Sequence, residues 1–223
     1  MRAGGNQIIP RPAAVWVRPN NPFRSLDHSV LRSTEQLIAR IERAAGNVAE
    51  VDVPQGAKAS AVLVPIFDGE YGPEVVLTRR SQQLTNHKGE VSFPGGRIDA
   101  NETAVDAALR ESREEINLDT SNLRIIGQLG AISTYVSSSH IVPVVAHLHN
   151  KPELDISNEE VDRVFSVPLI DLVRDDTYAE EHWGTAPNTY QLHFFHLDDE
   201  TIWGATGKML HQLINIAVLN EWA

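Results

Sequence analysis

Two hydrophobic periods alternate along the chain, and the switches between them divide it into strands and helices. Ser33 followed by Gln36 reads as a capping box, and Leu37, Ile38 and Ile41 recur at helical spacing behind it, so a helix is expected through residue 45. Residues 60–66 and 74–78 are rich in β-branched side chains and flank Asp68-Gly69-Glu70-Tyr71-Gly72-Pro73, which predicts a hairpin. Residues 123–133 and 140–149 read as further strands, with Pro143 placing the second at a sheet edge or a bulge. A short strand over 161–167 precedes a helix opened by Pro168 and running to 173, and 189–197 has the aromatic composition of a late strand. From Gly204 or Ala205 the period returns to that of a helix, with Leu210, Leu213, Ile214, Ala217 and Val218 on one side. Strands mixed with helices define an α/β chain. Up to about Pro22 the chain is rich in Pro, Gly and Asn, so residues 1–32 are read as an N-terminal arm, draped on the body or on a partner, and 33–223 as one domain. Residues 51–58 form a linker within it.

The helix expected after Phe93-Pro94-Gly95-Gly96 carries the chemistry. At 100° per residue, Glu111, Glu114 and Glu115 lie within about a third of a turn, so three carboxylates project from one face. Such a face repels itself, and a hard cation with oxygen ligands, magnesium or manganese, makes it favourable. Ala104 and Ala108 share a stripe with Glu111 and Glu115, and the expectation is that they leave room over the cations for a phosphate. Val105, Leu109 and Ile116 form a second stripe that packs on a sheet, with Ser112 as its polar member. Gly95 and Gly96 are read as a loop whose backbone approaches a metal or phosphate closely. The plain alternative is a solvated face on a surface helix, the usual meaning of a charge run. Arg110 either touches substrate or, the favoured reading, makes an internal ion pair that orients one of the glutamates.

Gly96, Glu102, Arg110, Glu111, Glu114 and Glu115 stand at the offsets of the Nudix box, and the stretch 96–118 resembles it. By composition, six such coincidences in a chain of this length have a probability on the order of 10^-5, so the charge-run alternative recedes. The resemblance implies a Nudix-type α/β/α sandwich with a mixed β-sheet and the hydrolysis of diphosphates. It also implies metal ligation by Glu111, Glu114, Glu115 and Gly96, and catalytic roles for Glu114, Glu111 and Arg110. Two positions depart from the pattern. Asn117 replaces the usual glycine at the helix end, where asparagine tolerates the left-handed conformation, and Ser112 replaces an aliphatic residue.

The flanks narrow the resemblance. Leu77-Thr78-Arg79-Arg80-Ser81, then Leu84, His87, Gly89 and Phe93-Pro94-Gly95-Gly96, are similar to the signature of the coenzyme A pyrophosphatase branch, and Trp203-Gly204-Ala205-Thr206 is similar to the entry of its last helix. Cleavage of coenzyme A or an acyl-CoA to 3′,5′-ADP and 4′-phosphopantetheine is thereby implied. The signature's arginine falls on Thr85, which removes a cation and keeps ADP-ribose or another nucleoside diphosphate sugar in play as substrate. Arg79, Arg80, Lys88 and Arg97 remain as anion partners. Glu160, beside Glu159 and before Val161, resembles a recurrent element of the family that adds a carboxylate, although a solvated strand start explains it equally well. A binding module that senses a nucleotide without turnover is a third reading, opposed by the intact glutamates.

Other candidates weigh less. His87 is read as a hydrogen-bonding loop residue, and His147 and His149 as neighbours on one strand face; His193 and His196 lack that alternation. Ser137-Ser138-Ser139-His140 lacks a strand-to-helix elbow and reads as a loop. Tyr135 and Trp203 are aromatic enough to stack on an adenine, but packing is the commoner fate. The 223 residues contain no cysteine, so disulfides and thiol chemistry are excluded, and 42% hydrophobic content suffices for a core. A formal charge of −11 opposes a nucleic acid partner, and a small nucleoside diphosphate derivative is the expected one. No stretch reads as a signal peptide or a membrane span, so cytoplasmic residence is the default. These residues leave open whether the protein acts alone or as a homodimer.

Overall fold

The computed structural model describes residues 2–44, 54, 56–134 and 138–219. Half of the linker expected over 51–58, and Tyr135, Ser137 and residue 45, lie outside them. In chain order the elements are β1 (Val15–Val17), α1 (Thr34–Ala44), β2 (Lys58–Gly69), β3 (Gly72–Arg80), β4 (Val91–Ser92), β5 (Gly95–Arg97) and α2 (Ala104–Ile116). They continue as β6 (Leu123–Gln128), β7 (Ile132–Ser133), β8 (Ser139–Leu148), β9 (Val161–Pro168), α3 (Leu169–Leu172), β10 (Tyr178–Thr185), β11 (Asn188–His196), β12 (Thr201–Ile202) and α4 (Gly204–Leu219).

The larger sheet is mixed. Its order is β4-β3-β2-β8-β6, with β9 on the free side of β3, β5 on β2 and β7 on β8, and β2 runs parallel to β8. The predicted hairpin closes with Gly69 opposite Gly72. Beyond Ile66 and Val75 its two strands part: β3 takes up β4 at Thr78 and Arg79, while β2 takes up β5 at residues 60–62. Phe93 and Pro94 join β4 to β5 across this fork, held by the bond from the Leu63 amide to the Pro94 carbonyl at 2.8 Å. The run that the sequence suggests is a loop is therefore partly a strand, and it sits where the sheet splits.

Two apolar layers cover the sheet. On one face Ala61, Leu63, Phe67, Val76, Val142, Val144 and Ala146 pack against Ala104, Ala107, Ala108 and Ile116 of α2. The alanines thus do not leave space above a cation, as the sequence suggests. They are buried against the strands and let the helix lie close to β2, while Val105 and Leu109 pack at the margin. On the other face α1 presents Leu37, Ile38 and Ile41 and α4 presents Leu210, Leu213, Ile214 and Ala217, each buried apolar side chain contributing about 1.5–3 kcal/mol. This is the α/β/α sandwich expected, and α1 is capped by Ser33 accepting from the Gln36 amide.

Pro143 corrects another expectation. It lies within β8, an interior strand between β2 and β6, but opposite residues 129–131, where the neighbouring chain leaves the ladder between β6 and β7. No N–H is missed on that side, and the Pro143 carbonyl accepts from the Leu129 amide at 2.9 Å. The strand expected over 123–133 is accordingly two strands, with a bulge between Ile125 and Gly127. Ser139 and His140 open β8 rather than lying in a loop, and His140 Nδ1 is 3.0 Å from Ser133 Oγ.

A second, antiparallel sheet in the order β1-β10-β11-β12 has no counterpart in the sequence reading apart from β11. The arm supplies its first strand. Arg11 and Arg18 from the arm reach Glu181 and Glu180, both buried, at 2.8 and 3.1 Å. Adjacent glutamates argue against a strand in β10 until these partners are known. Among the described residues no helix is long and apolar enough to cross a membrane.

Candidate active site

The box helix begins with a capping box that the sequence reading did not name. The Thr103 hydroxyl accepts from the Asp106 amide, and the Asp106 side chain accepts from the Thr103 amide. It ends as expected: Asn117 is left-handed (φ 52°, ψ 33°) and its amide reaches the Arg113 carbonyl at 3.0 Å. Ser112 is fully buried, and its hydroxyl donates to the Ala108 carbonyl at 2.7 Å, so it causes no unpaired polar atom on the packed side.

The three glutamates occupy different surroundings. Glu115 is 3% exposed and turned into the fork, where the Gly95 amide donates to it at 3.1 Å and Arg80 Nη1 stands 3.9 Å away. Burial pushes its carboxyl up to about 7, against the pull of the Gly95 amide and Arg80. Glu111 is mostly covered and Glu114 is exposed, and both face Arg110, at 2.9 and 3.3 Å. Arg110 also grips Glu102 through two bonds, at 2.9 and 3.0 Å, and donates to the Arg97 carbonyl at 3.0 Å. Its bonds to Glu102 and Glu111 raise its own pKa, and they hold the Glu102 carboxyl below the usual range. Arg110 is thus an ion-paired residue that fixes glutamates.

The two glycines answer to different neighbours. At Gly95 (φ 156°) a Cβ would fall 2.3 Å from the Ala61 carbonyl oxygen and 2.5 Å from Val62 Cα, so the approach of β5 to β2 requires glycine. At Gly96 a Cβ would fall 2.3 Å from Glu111 Oε1. The space it would fill is where the Glu111 carboxylate meets the backbone.

The residues named as anion partners separate. Arg79 and Arg80 are neighbours in β3 and leave on opposite faces. Arg80 bridges Glu115 and Glu160, at 3.9 and 3.6 Å, whereas Arg79 bonds Glu200 at 2.9 Å on the other side. Lys88 and Arg97 are exposed and make no ion pair among the described residues. Glu160 comes to the box because the segment before β9 caps α2: the Ser157 amide reaches the Glu115 carbonyl and Asn158 reaches that of Glu114, both at 3.1 Å. His87 bonds Glu90 at 2.9 Å within its loop, as expected. Trp203 packs on Phe194 and Trp183, away from this fork, and His147 and His149 are in edge contact with each other.

Whether a divalent cation suits these residues is answered by the donors. All are oxygens, Glu115 is a buried carboxylate whose charge is poorly compensated, and Gly96 keeps the backbone open beside Glu111. The set fits. Among the described residues no three acidic or imidazole groups are already gathered for an ion, because Glu111 and Glu114 are held by Arg110. Glu102 holds Arg110 through two bonds of its own, independently of those two carboxylates.

Residues 57–189 match the NUDIX domain family. The chain is 32% identical over 180 residues to Nudix hydrolase 3 of Caenorhabditis elegans, covering 71% of this chain and 72% of that one. It is 33% identical over 156 residues to the uncharacterized Nudix hydrolase NudL of Photorhabdus laumondii, covering 69% and 82%. A similar stretch, 34% identical over 163 residues, is shared with the longer Nudix hydrolase 15, mitochondrial, of Arabidopsis thaliana, at 69% and 56% coverage. The chain belongs to the Nudix family, and it is an enzyme that hydrolyses phosphoric anhydrides. Hydrolases of this family generally use divalent metal ions.

Proposed function

We propose that the enzyme cleaves the diphosphate bridge of a nucleoside diphosphate derivative, coenzyme A or an acyl-CoA, with Mg2+ or Mn2+, releasing 3′,5′-ADP and 4′-phosphopantetheine. The observation that carries the chemistry is the set of carboxylates on α2 standing against Gly95 and Gly96 in the fork. A cation bound by Glu111, Glu114, Glu115 and the Gly96 carbonyl supplies charge neutralisation and a more acidic attacking water. The side chains do the rest. In the metal-free site Arg110, locked to Glu102, holds Glu111 and Glu114, and it stays with Glu102 when those two turn to the cation. Glu114 is the most exposed of the three and is suited to accept the proton of the attacking water, with Glu160 as the alternative acceptor beside Arg80. Arg80 offers its guanidinium to a phosphoryl oxygen from between Glu115 and Glu160, and Lys88 and Arg97, in no ion pair among the described residues, are cations for the outer phosphates.

The choice of coenzyme A rests on the resemblance of residues 77–96 and of Trp203-Gly204-Ala205-Thr206 to that branch. Thr85 favours the second reading, ADP-ribose or another nucleoside diphosphate sugar, because it removes one cation from the loop. A panel of diphosphates incubated with each metal, with products resolved by chromatography, decides between them. The expected products are 3′,5′-ADP and 4′-phosphopantetheine. Preference for ADP-ribose would shift the assignment, and binding without turnover would make the chain a sensor.

A further inference from the structure

In the turn before β9 a single carboxamide joins the box helix to the outlying carboxylate. Asn158 Nδ2 donates to the Glu114 carbonyl at 3.1 Å, and Asn158 Oδ1 accepts from the Glu160 amide at 3.0 Å. We infer that Asn158 is a positioning residue, which sets Glu160 beside Arg80 and Glu115 so that its carboxylate serves the cleavage.

Capping of α2 does not require Asn158. The Glu114 carbonyl also accepts from the Ser157 hydroxyl, and the Glu115 carbonyl accepts from the Ser157 amide at 3.1 Å. The Arg113 and Ser112 carbonyls are served by the Asn117 and Leu118 amides at 3.0 and 3.3 Å, so the last turn of the helix is satisfied. Leu154 packs into the apolar layer beneath α2 and anchors the same segment. What Asn158 adds is its other half, the bond to Glu160. An asparagine oxygen that accepts from the amide two residues on closes an Asx turn, and this one delivers the chain to β9 at Val161.

Glu160 needs such a hold. Its side chain is 58% exposed and stands 3.6 Å from Arg80, a surface ion pair too weak to fix a carboxylate. Glu115, 3.9 Å from the same guanidinium, is a like charge that repels it. The backbone of Glu160 is held instead, its amide by Asn158 and its carbonyl by the Ser81 amide at 2.8 Å. Because Ser81 follows Arg80, a ring of contacts runs from α2 through the turn to the end of β3 and back through Arg80 to Glu115. When Arg80 turns to a phosphoryl oxygen, the ion pair is given up and the backbone bonds keep Glu160 in place. Glu160 is not among the proposed cation ligands, so its carboxylate keeps a lone pair for the proton of the attacking water.

This inference rests on the second of the two proton acceptors proposed above, and the test keeps the two apart. Steady-state cleavage with Mg2+ is measured for the natural chain, Asn158→Ala, Glu160→Gln and the double variant, on coenzyme A or on whichever diphosphate of the panel the natural chain cleaves. Glu160→Gln should lower kcat about a hundredfold and Asn158→Ala about tenfold, each with KM within about twofold. The double variant should be no slower than Glu160→Gln, because a residue that acts through the Glu160 carboxylate then has nothing left to position. A crystal structure of metal-free Asn158→Ala should show Glu160 parted from Arg80 and the end of α2 unmoved. A natural kcat in Asn158→Ala, its loss repeated in full on top of Glu160→Gln, or Glu160 still paired with Arg80 in that crystal structure overturns the inference and leaves Asn158 as a cap of α2. A natural kcat in Glu160→Gln also overturns it and returns the proton to Glu114, with the proposed cleavage intact. Asn158→Ser, whose hydroxyl still accepts from an amide two residues on but is too short to bridge to Glu114, carries the same test if Asn158→Ala does not fold.

Discussion

Glu115 is the residue at which folding and catalysis pull in opposite directions. Its carboxyl rises from 4.5 to about 7 on burial, so the folded, metal-free protein favours the protonated form. That contribution to stability is complete below about 4.5 and is lost as the pH climbs through 7, a change of roughly 3 kcal/mol. Glu115→Gln keeps the shape without the charge. In chelator at pH 8 its melting temperature should exceed that of the natural protein, and the gain should vanish near pH 4. Turnover should fall at least a hundredfold at saturating metal. A natural rate in this variant would remove Glu115 from the ligand set. The identity of this residue as a candidate was readable from offsets alone. Its burial was not, because a helical wheel ranks Glu111, Glu114 and Glu115 alike and says nothing of which one meets the fork in the sheet.

At the scale of elements, the glycines of β5 distinguish strand contact from site. Gly96→Ala puts a methyl into the Glu111 carboxylate, a flexible neighbour, whereas Gly95→Ala drives one into the backbone of β2 at an unfavourable φ. Gly96→Ala should therefore retain most of its thermal stability and lose most of its activity. Gly95→Ala should lose stability by a few kcal/mol and activity with it, because the strand that must shift carries the amide bonded to Glu115. Equal melting temperatures for the two would contradict this division. The box helix, its C-terminal cap and the hairpin were legible because period, capping residues and turn chemistry are local. The alanine stripe was misread for the opposite reason: a small side chain at a stripe edge means space or close contact, and the strand beneath decides which. Pro143 likewise needs the gap at residues 129–131, far from it in the chain, before its place inside the sheet makes sense.

At the scale of the whole molecule, the second sheet was the least legible part. Glu180 and Glu181 in β10 look like solvated residues, and only the arm makes them internal. Burial alone would push the Glu180 carboxyl up, but bonds from His182 and Arg18 hold it below the usual range. The same long-range assembly joins an acidic chain of net charge −11 to a phosphate substrate, since the acids of the box are to be neutralised locally by cation and guanidinium. The most direct measurement of that claim is a crystal structure of the enzyme soaked in Mn2+, with the ion located by its anomalous scattering. The expected result is manganese within about 2.2 Å of oxygens from Glu111, Glu114 and Glu115, with Arg110 still paired to Glu102 and released from the other two. Glutamates that remain on Arg110, with no ion among them at saturating Mn2+, would contradict the account.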